Sequence, residues 1–235
     1  MNINFNNLSD NFLLSLLSSD EQATISSAVK LASVNVGEII CEPGAKLEYV
    51  YFPISGMFSL LYILENGGSA EIGVIGKEGF VGVPILLGGE TMSHQVIIQG
   101  SGEAFRMPVY HLTKLFNQSI SFRNILLHYM QALMTQISQT AVCNSHHKID
   151  QRLCRWLLLS LDRLSGNELC MTQELISIML GVRREGITSA ASNLQKEKII
   201  DYSRGTICVL DRHRLEERCC ECYEVVKKRI FSIIF

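Results

Sequence analysis

"TQELISIMLGVRREGITSAASNLQKEKII", Thr172–Ile200, stops an apolar helical segment at one glycine and restarts at once with two arginines and a glutamate. Ordinary helix hairpins break with polar loops, whereas this one turns in roughly three residues. Thr172 is a suitable N-cap, and Glu174 sets an acid against the positive end of the first helix. Leu175, Ile176, Met179 and Leu180 form its apolar face, and Ser177 is small enough for a second helix to cross closely. Gly181 can take the left-handed conformation that ends a helix. In the second helix Ile187, Ala190, Ala191 and Leu194 recur at i, i+3, i+4 and i+7 and turn inward. Arg184, Glu185, Thr188, Ser189 and Ser192 are left facing out.

This pattern predicts a helix-turn-helix. Such geometry also occurs in proteins that never touch DNA, and outward charges are usually a solvated face. Three features favour DNA here: the small Ser177, the glycine four positions later, and long hydrogen-bonding side chains at the start of the second helix. A helix laid in the major groove needs them there. Downstream, "IIDYSRGTICVLD" (Ile199–Asp211) predicts two short strands flanking Ser203-Arg204-Gly205, a hairpin with a basic tip that would serve as a wing. Upstream, "KIDQRLCRWLLLSLDRL" (Lys148–Leu164) reads as an amphipathic helix with Trp156, Leu157, Leu159 and Leu161 as core candidates. "RHRLEERCCECYEVVKKRI" (Arg212–Ile230) reads as one closing helix.

The preceding part of the chain has a different texture. The first 30 or so residues read as helical, with Ser and Asp caps in "SSDEQATISSAV". From Val34, short β-like runs alternate with glycine-containing turns such as Asn66-Gly67 and Gly88-Gly89. Runs at that spacing indicate a small antiparallel β-roll or jelly roll. After Pro108 the period becomes helical, and residues 109–145 contain neither Gly nor Pro. Leu126, Met130, Leu133, Ile137 and Thr140 step by 4, 3, 4 and 3, a heptad seam expected to join two copies of the chain.

Composition bounds the rest. Hydrophobic residues make up 47% of 235 and charged residues 19%, which excludes a disordered chain. No run approaches the ~18 uninterrupted apolar residues of a membrane span, and "MNINFNNLSDNF" lacks a basic, apolar signal core. A cytoplasmic protein with no membrane partner is expected. The net charge of −2 is unevenly spread: residues 1–147 hold 6 Lys+Arg against 11 Asp+Glu, and residues 148–235 hold 15 against 12. The basic part is the one with the helix-turn-helix.

Eight cysteines are scattered through the sequence, and no disulfide framework is expected without a secretory signal. Cys219-Cys220-Glu221-Cys222 holds a C-x-x-C spacing that could bind metal or cycle redox state. A zinc site would need two further ligands, and no second C-x-x-C or H-x-H cluster lies at a finger-like distance. On a helix Cys219 and Cys222 share a face and can simply pack. No metal site, cofactor or catalytic residue is expected, since no nucleophile–base pair, P-loop or metal-ligand motif occurs.

Taken together, the chain resembles the Crp/Fnr family, the bacterial regulators that include the cyclic-AMP receptor protein. The resemblance covers nearly the full length, and "LGVRREGITSAASNLQKEKIIDYSRGTICVLD" is its most specific part. It implies an α+β protein: a cyclic-nucleotide-binding-like β-roll with flanking helices over 1–118, a dimerisation helix over 119–145, and a winged helix-turn-helix over 146–235. It further implies a homodimeric, sequence-specific transcription regulator that binds double-stranded, palindromic operator DNA, with RNA polymerase as a candidate partner. The expected DNA-binding residues are Arg183, Arg184, Glu185, Thr188, Ser189, Ser192, Ser203 and Arg204, and the dimer seam is Leu126, Met130, Leu133 and Ile137. Arg184 and Glu185 fall on the family's base-reading Arg-Glu pair, while Ser189 stands where a second base-reading arginine is usual. Arg183 takes a slot where relatives often place a serine cap, which forgoes about 1 kcal/mol.

Family members that bind cyclic nucleotides hold the ribose with a Gly-Glu and the phosphate with an Arg-Ser about ten residues later. Here the matching positions are Gly82-Val83 and Ser93 or His94, and no arginine precedes Arg106. A buried phosphate without a cation is costly, so a degenerate effector pocket is expected at Gly82, Val83, Ser93 and His94. Iron–sulfur relatives would need clustered amino-terminal cysteines, and only Cys41 lies in the first 142 residues. The alternative expectation is a thiol- or metal-responsive regulator that signals through Cys219, Cys220 and Cys222.

Overall fold

Between Lys30 and Pro108 the β-branched and aromatic runs form seven strands in two antiparallel sheets. The computed structural model describes residues 8–232; residues 1–7, the start of the stretch expected to be helical, lie outside it, as do 233–235. Two short helices, α1 (Phe12–Ser15) and α2 (Ser19–Ser26), come first, and α2 opens on a capping box between Ser18 and Glu21. Strands β1 (Lys30–Val34), β7 (Gly102–Pro108) and β3 (Tyr49–Pro53) pair in that order. The second sheet runs β2 (Ile39–Cys41), β6 (Gln95–Gly100), β4 (Met57–Ile63), β5 (Ser69–Ile75). A short helix α3 (Val83–Leu86) interrupts the roll between β5 and β6. Phe52, Phe58, Phe80 and Phe105 fill the roll, with Phe52 stacked on Phe80 at 5.4 Å.

Strand β4 is buried along most of its length for a reason that strand alternation alone does not supply. Phe58 and Leu60 point into the roll, whereas Met57 and Leu61 belong to the core of the carboxy-terminal half. The outer face of the four-stranded sheet is thus a packing surface for the helices that follow.

Helix α4 (Val109–Gln118) leads to α5 (Ile120–His146), 27 residues or about 40 Å at helical rise. Gln136 of α5 receives the Val74 N–H at 2.9 Å and donates to the Val74 carbonyl at 3.1 Å, which closes the free edge of β5. The expected dimer seam is divided by this packing. Leu126 is 0% exposed and Leu133 is 7% exposed, both inside the chain's own core, while Met130 and Ile137 are half-buried. Those two leucines have no surface left for a partner, because the helix must first cover the roll.

Helix α6 (Ile149–Leu161) is buried on nearly every side, between the sheet and the helix-turn-helix. The wing follows as β8 (Glu168–Cys170), β10 (Thr206–Val209) and β9 (Ile200–Ser203), with β10 central. Strand β8 has no counterpart in the sequence reading; its three residues carry too little pattern to announce themselves. The expected closing helix is in fact two, α9 (Arg212–Arg218) and α10 (Cys222–Phe231), broken where Cys219 takes an extended backbone. No Gly or Pro marks that break. Burial of Cys220, Cys222 and Tyr223 against neighbouring helices overrides local propensity there. Among the described residues no helix is long and apolar enough to cross a membrane.

Candidate nucleic-acid interface and effector cavity

Helix α7 (Gln173–Leu180) begins at Thr172, whose hydroxyl accepts the Leu175 N–H at 3.2 Å. It ends at Gly181, φ 60° and ψ 41°, and the next N–H, of Val182, returns to the Ser177 carbonyl at 3.0 Å. A side chain at Gly181 would strain that left-handed backbone and would also press Ala70 of β5, 3.1 Å from an ideal Cβ. Ser177 is 5% exposed at the crossing. Helix α8 (Arg184–Lys196) buries Ile187, Ala190, Ala191 and Leu194, as its apolar spacing requires. Small alanines let α8 lie close against α6 and α7.

The outward residues sort by what already holds them. Arg183, Arg184, Glu185 and Ser189 are exposed, and Ser192 is half-buried. Arg184 Nε lies 3.9 Å from Glu174 Oε2 with both side chains more than 60% exposed, an ion pair that water screens and that leaves the guanidinium available. The Thr188 hydroxyl is 2.6 Å from Gln173 Oε1, so it ties the two helices together as well as facing out. Arg183 forms no side-chain cap at the start of α8. The Gly186 N–H turns back to the Arg183 carbonyl at 3.0 Å, and no side chain caps the Arg184 and Glu185 amides ahead of it, the arrangement that receives phosphate oxygens.

The wing tip is a two-residue turn. Arg204 and Gly205 have φ of 51° and 80°, the mirror-image turn that suits twisted hairpins. Ser203 is the last residue of β9 rather than part of the tip. Thr172, Gln173, Arg184, Tyr202, Arg204 and Gly205 line one shallow cleft, which brings the start of α7, the start of α8 and the wing to a common face.

The expected effector pocket is an apolar cavity of about 290 Å³ between the roll and α5. Gly82, Val83 and His94 line it, together with Met130, Met134 and Ile137 of the long helix. Ser93 does not line it and is exposed, with its hydroxyl 3.3 Å from His94 Nδ1. No arginine or lysine is among its lining residues. His94 Nε2 is buried without a partner, and burial holds that imidazole below the usual histidine range.

The first expectation from sequence is no metal ligand, and the alternative is a thiol- or metal-responsive cluster of Cys219, Cys220 and Cys222; the structure groups two of these three with residues from elsewhere. Cys220 and Cys222 meet Cys143 and His147 from the far end of α5, while Cys219 stays outside the group. The overlooked signal is Cys143-x-x-x-His147, two ligand types one helical turn apart.

Sequence comparison matches residues 151–218 to the Crp-like helix-turn-helix domain and residues 31–119 to the cyclic nucleotide-binding domain, together about two thirds of the chain. No curated protein matches it. Among solved structures, a transcriptional regulator of the Crp/Fnr family from Eubacterium rectale is 19% identical with a TM-score of 0.71, over 92% of this chain and 99% of that one. FixK2 from Bradyrhizobium japonicum is 16% identical with a TM-score of 0.67, over 82% and 98%. The c-di-GMP-responsive global regulator CLP from Xanthomonas campestris is 16% identical with a TM-score of 0.64, over 86% and 97%. With both characteristic domains in order along one chain, and a winged helix-turn-helix on its surface, the protein belongs to the Crp/Fnr family of DNA-binding transcription regulators.

Proposed function

We propose that the protein acts in the cytoplasm as a homodimer that reads a palindromic operator with α8, and that its β-roll does not take cyclic nucleotides. The proposed division is a sensor-like roll over 1–118, a dimerisation helix over 119–145 and a DNA-binding unit over 146–235. Double-stranded DNA, a second copy of the chain and RNA polymerase are its proposed partners. The observation that carries the reading is the exposed Arg184-Glu185 pair at the uncapped start of a helix held close by Ile187, Ala190, Ala191 and Leu194. Arg184 can address guanine O6 and N7 together, and Glu185 can accept from a cytosine amine, each worth roughly 1–3 kcal/mol of discrimination. Ser189, Ser192 and Thr188 have shorter reach, while Arg183, Ser203 and Arg204 suit phosphates.

Selection of bound DNA from a random pool tests this. The chain should enrich inverted half-sites about one DNA turn apart. Arg184→Ala should relax the preference at one base pair in each half-site. Arg204→Ala should instead weaken all sequences alike and lower the salt slope by about one counterion for each phosphate it no longer reaches. An unchanged logo for Arg184→Ala would remove the helix from base reading.

A further inference from the structure

Four potential ligands from two distant parts of the chain converge where α5 ends. Cys143 stands on its final turn and His147 is the extended residue that ends it, while Cys220 and Cys222 flank Glu221 at the break between α9 and α10. Their ligand atoms all lie within 4.8 Å of one another. Cys143 Sγ is 3.6 Å from Cys220 Sγ, and Cys222 Sγ is 3.6 Å from His147 Nδ1. A tetrahedral zinc ion needs edges of about 3.8 Å between sulfurs and about 3.5 Å between sulfur and nitrogen. The three thiols are buried, at 0%, 5% and 1% exposure. Packing of free thiols would explain one such contact; it does not explain three sulfurs and an imidazole nitrogen around one point.

We propose that Cys143, His147, Cys220 and Cys222 form a closed, four-coordinate site for zinc. Two independent features point the same way. His147 turns Nδ1 toward the sulfurs and holds Nε2 3.3 Å from Glu221 Oε2, the carboxylate–histidine arrangement that orients metal-bound imidazoles. Arg155, 4% exposed, lies within Coulombic reach of Cys143 and Cys222 and has a buried Nε without an acceptor. Binding sends three thiol protons to solvent and leaves three thiolates on a divalent ion, a net charge of −1 that complements this guanidinium.

All four ligands fall outside the stretches matched to either domain, residues 31–119 and 151–218. Neither domain match therefore bears on these four residues, and the site stands on its geometry. It clips α10 to the base of α5, at the joint where the long helix meets the DNA-binding half. Its occupancy would stiffen that joint.

Elemental analysis of the purified full-length protein should find about one zinc per chain. After chelation, reloading with cobalt(II) should give intense tetrahedral ligand-field bands and thiolate-to-cobalt charge transfer. Cys143→Ser and Cys222→Ser should each abolish that spectrum, whereas Cys170→Ser, at an exposed cysteine of β8, should leave it intact. His147→Cys should restore a four-thiolate site, and Glu221→Gln should weaken cobalt binding by about 10- to 100-fold. Should a serine variant fail to fold, the wild-type spectrum and Glu221→Gln still decide. Reduced wild-type protein without a tetrahedral cobalt spectrum, or a Cys143→Ser/Cys222→Ser double variant that keeps one, overturns the proposal. Arg184→Ala should keep its metal, so loss of operator reading and absence of zinc are separable results.

Discussion

A phosphate withdrawn from water needs a cation or several donors, and the wall of the roll cavity offers neither. Val83 contributes methyl groups where a carboxylate would hold a ribose, and burial disfavours the charged form of His94. Cyclic AMP and cyclic GMP are therefore expected to bind no more tightly than millimolar, roughly −4 kcal/mol at a 1 M standard state. Isothermal calorimetry checks this, and micromolar binding mapped to the roll would refute it. Individual residues are most legible where their reasons are local. Thr172 and Gly181 carry the start and stop of α7 in their own side chains and backbone preferences, so cap and turn can be read directly. Counting along the chain puts Ser93 in the pocket, but a one-residue change of face on the way into β6 leaves it outside. Cys143 and Cys220 are 77 positions apart, and only the fold brings them together.

At the scale of the element, the long helix shows why a correct period can still give the wrong face. Two interleaved heptads run along α5. Leu126 and Leu133 lie in the buried one, facing the roll with Tyr129 and Ala132. One residue on, Leu127, Met130, Met134, Ile137 and Ala141 step by 3, 4, 3 and 4, and Leu127 and Met134 are 37% and 61% exposed. Apolar spacing alone cannot rank the two stripes; the roll decides by claiming the first. The second is the proposed partner seam, for which Met134→Asp should place a charge in the interface and yield folded monomers. Leu126→Asp should instead cost several kcal/mol of fold stability, since the charge enters a fully buried core. Light scattering with a melting curve distinguishes these outcomes. A Met134→Asp protein that stays dimeric would place the seam elsewhere.

Across the whole molecule, the two halves meet around one buried acid. Glu71 of β5 is 8% exposed, accepts from Ser59 Oγ at 2.5 Å and from Trp156 Nε1 of α6 at 3.0 Å, and sits opposite Leu61 across the strand pair. Burial pushes its carboxyl up to about 7, against the opposing pull of Ser59, Arg155, Trp156 and Arg163. The folded chain thus holds this proton to higher pH than the unfolded one, whose value is near 4.5. The associated stability is complete below about 4.5 and is lost as pH rises through about 7. Ionisation places an anion where the sheet packs on α6, so the loss is expressed as weaker docking of the DNA-binding half on the roll. Glu71→Gln keeps the shape and an acceptor for Trp156 while removing the charge. It should match wild type near pH 5 and exceed it near pH 8 by up to the order of 3 kcal/mol, read as a difference in denaturant midpoints at the two pH values. Parallel stability curves for the two proteins would mean that Glu71 is ionised and compensated throughout, with Arg155 and Arg163 supplying the counter-charge.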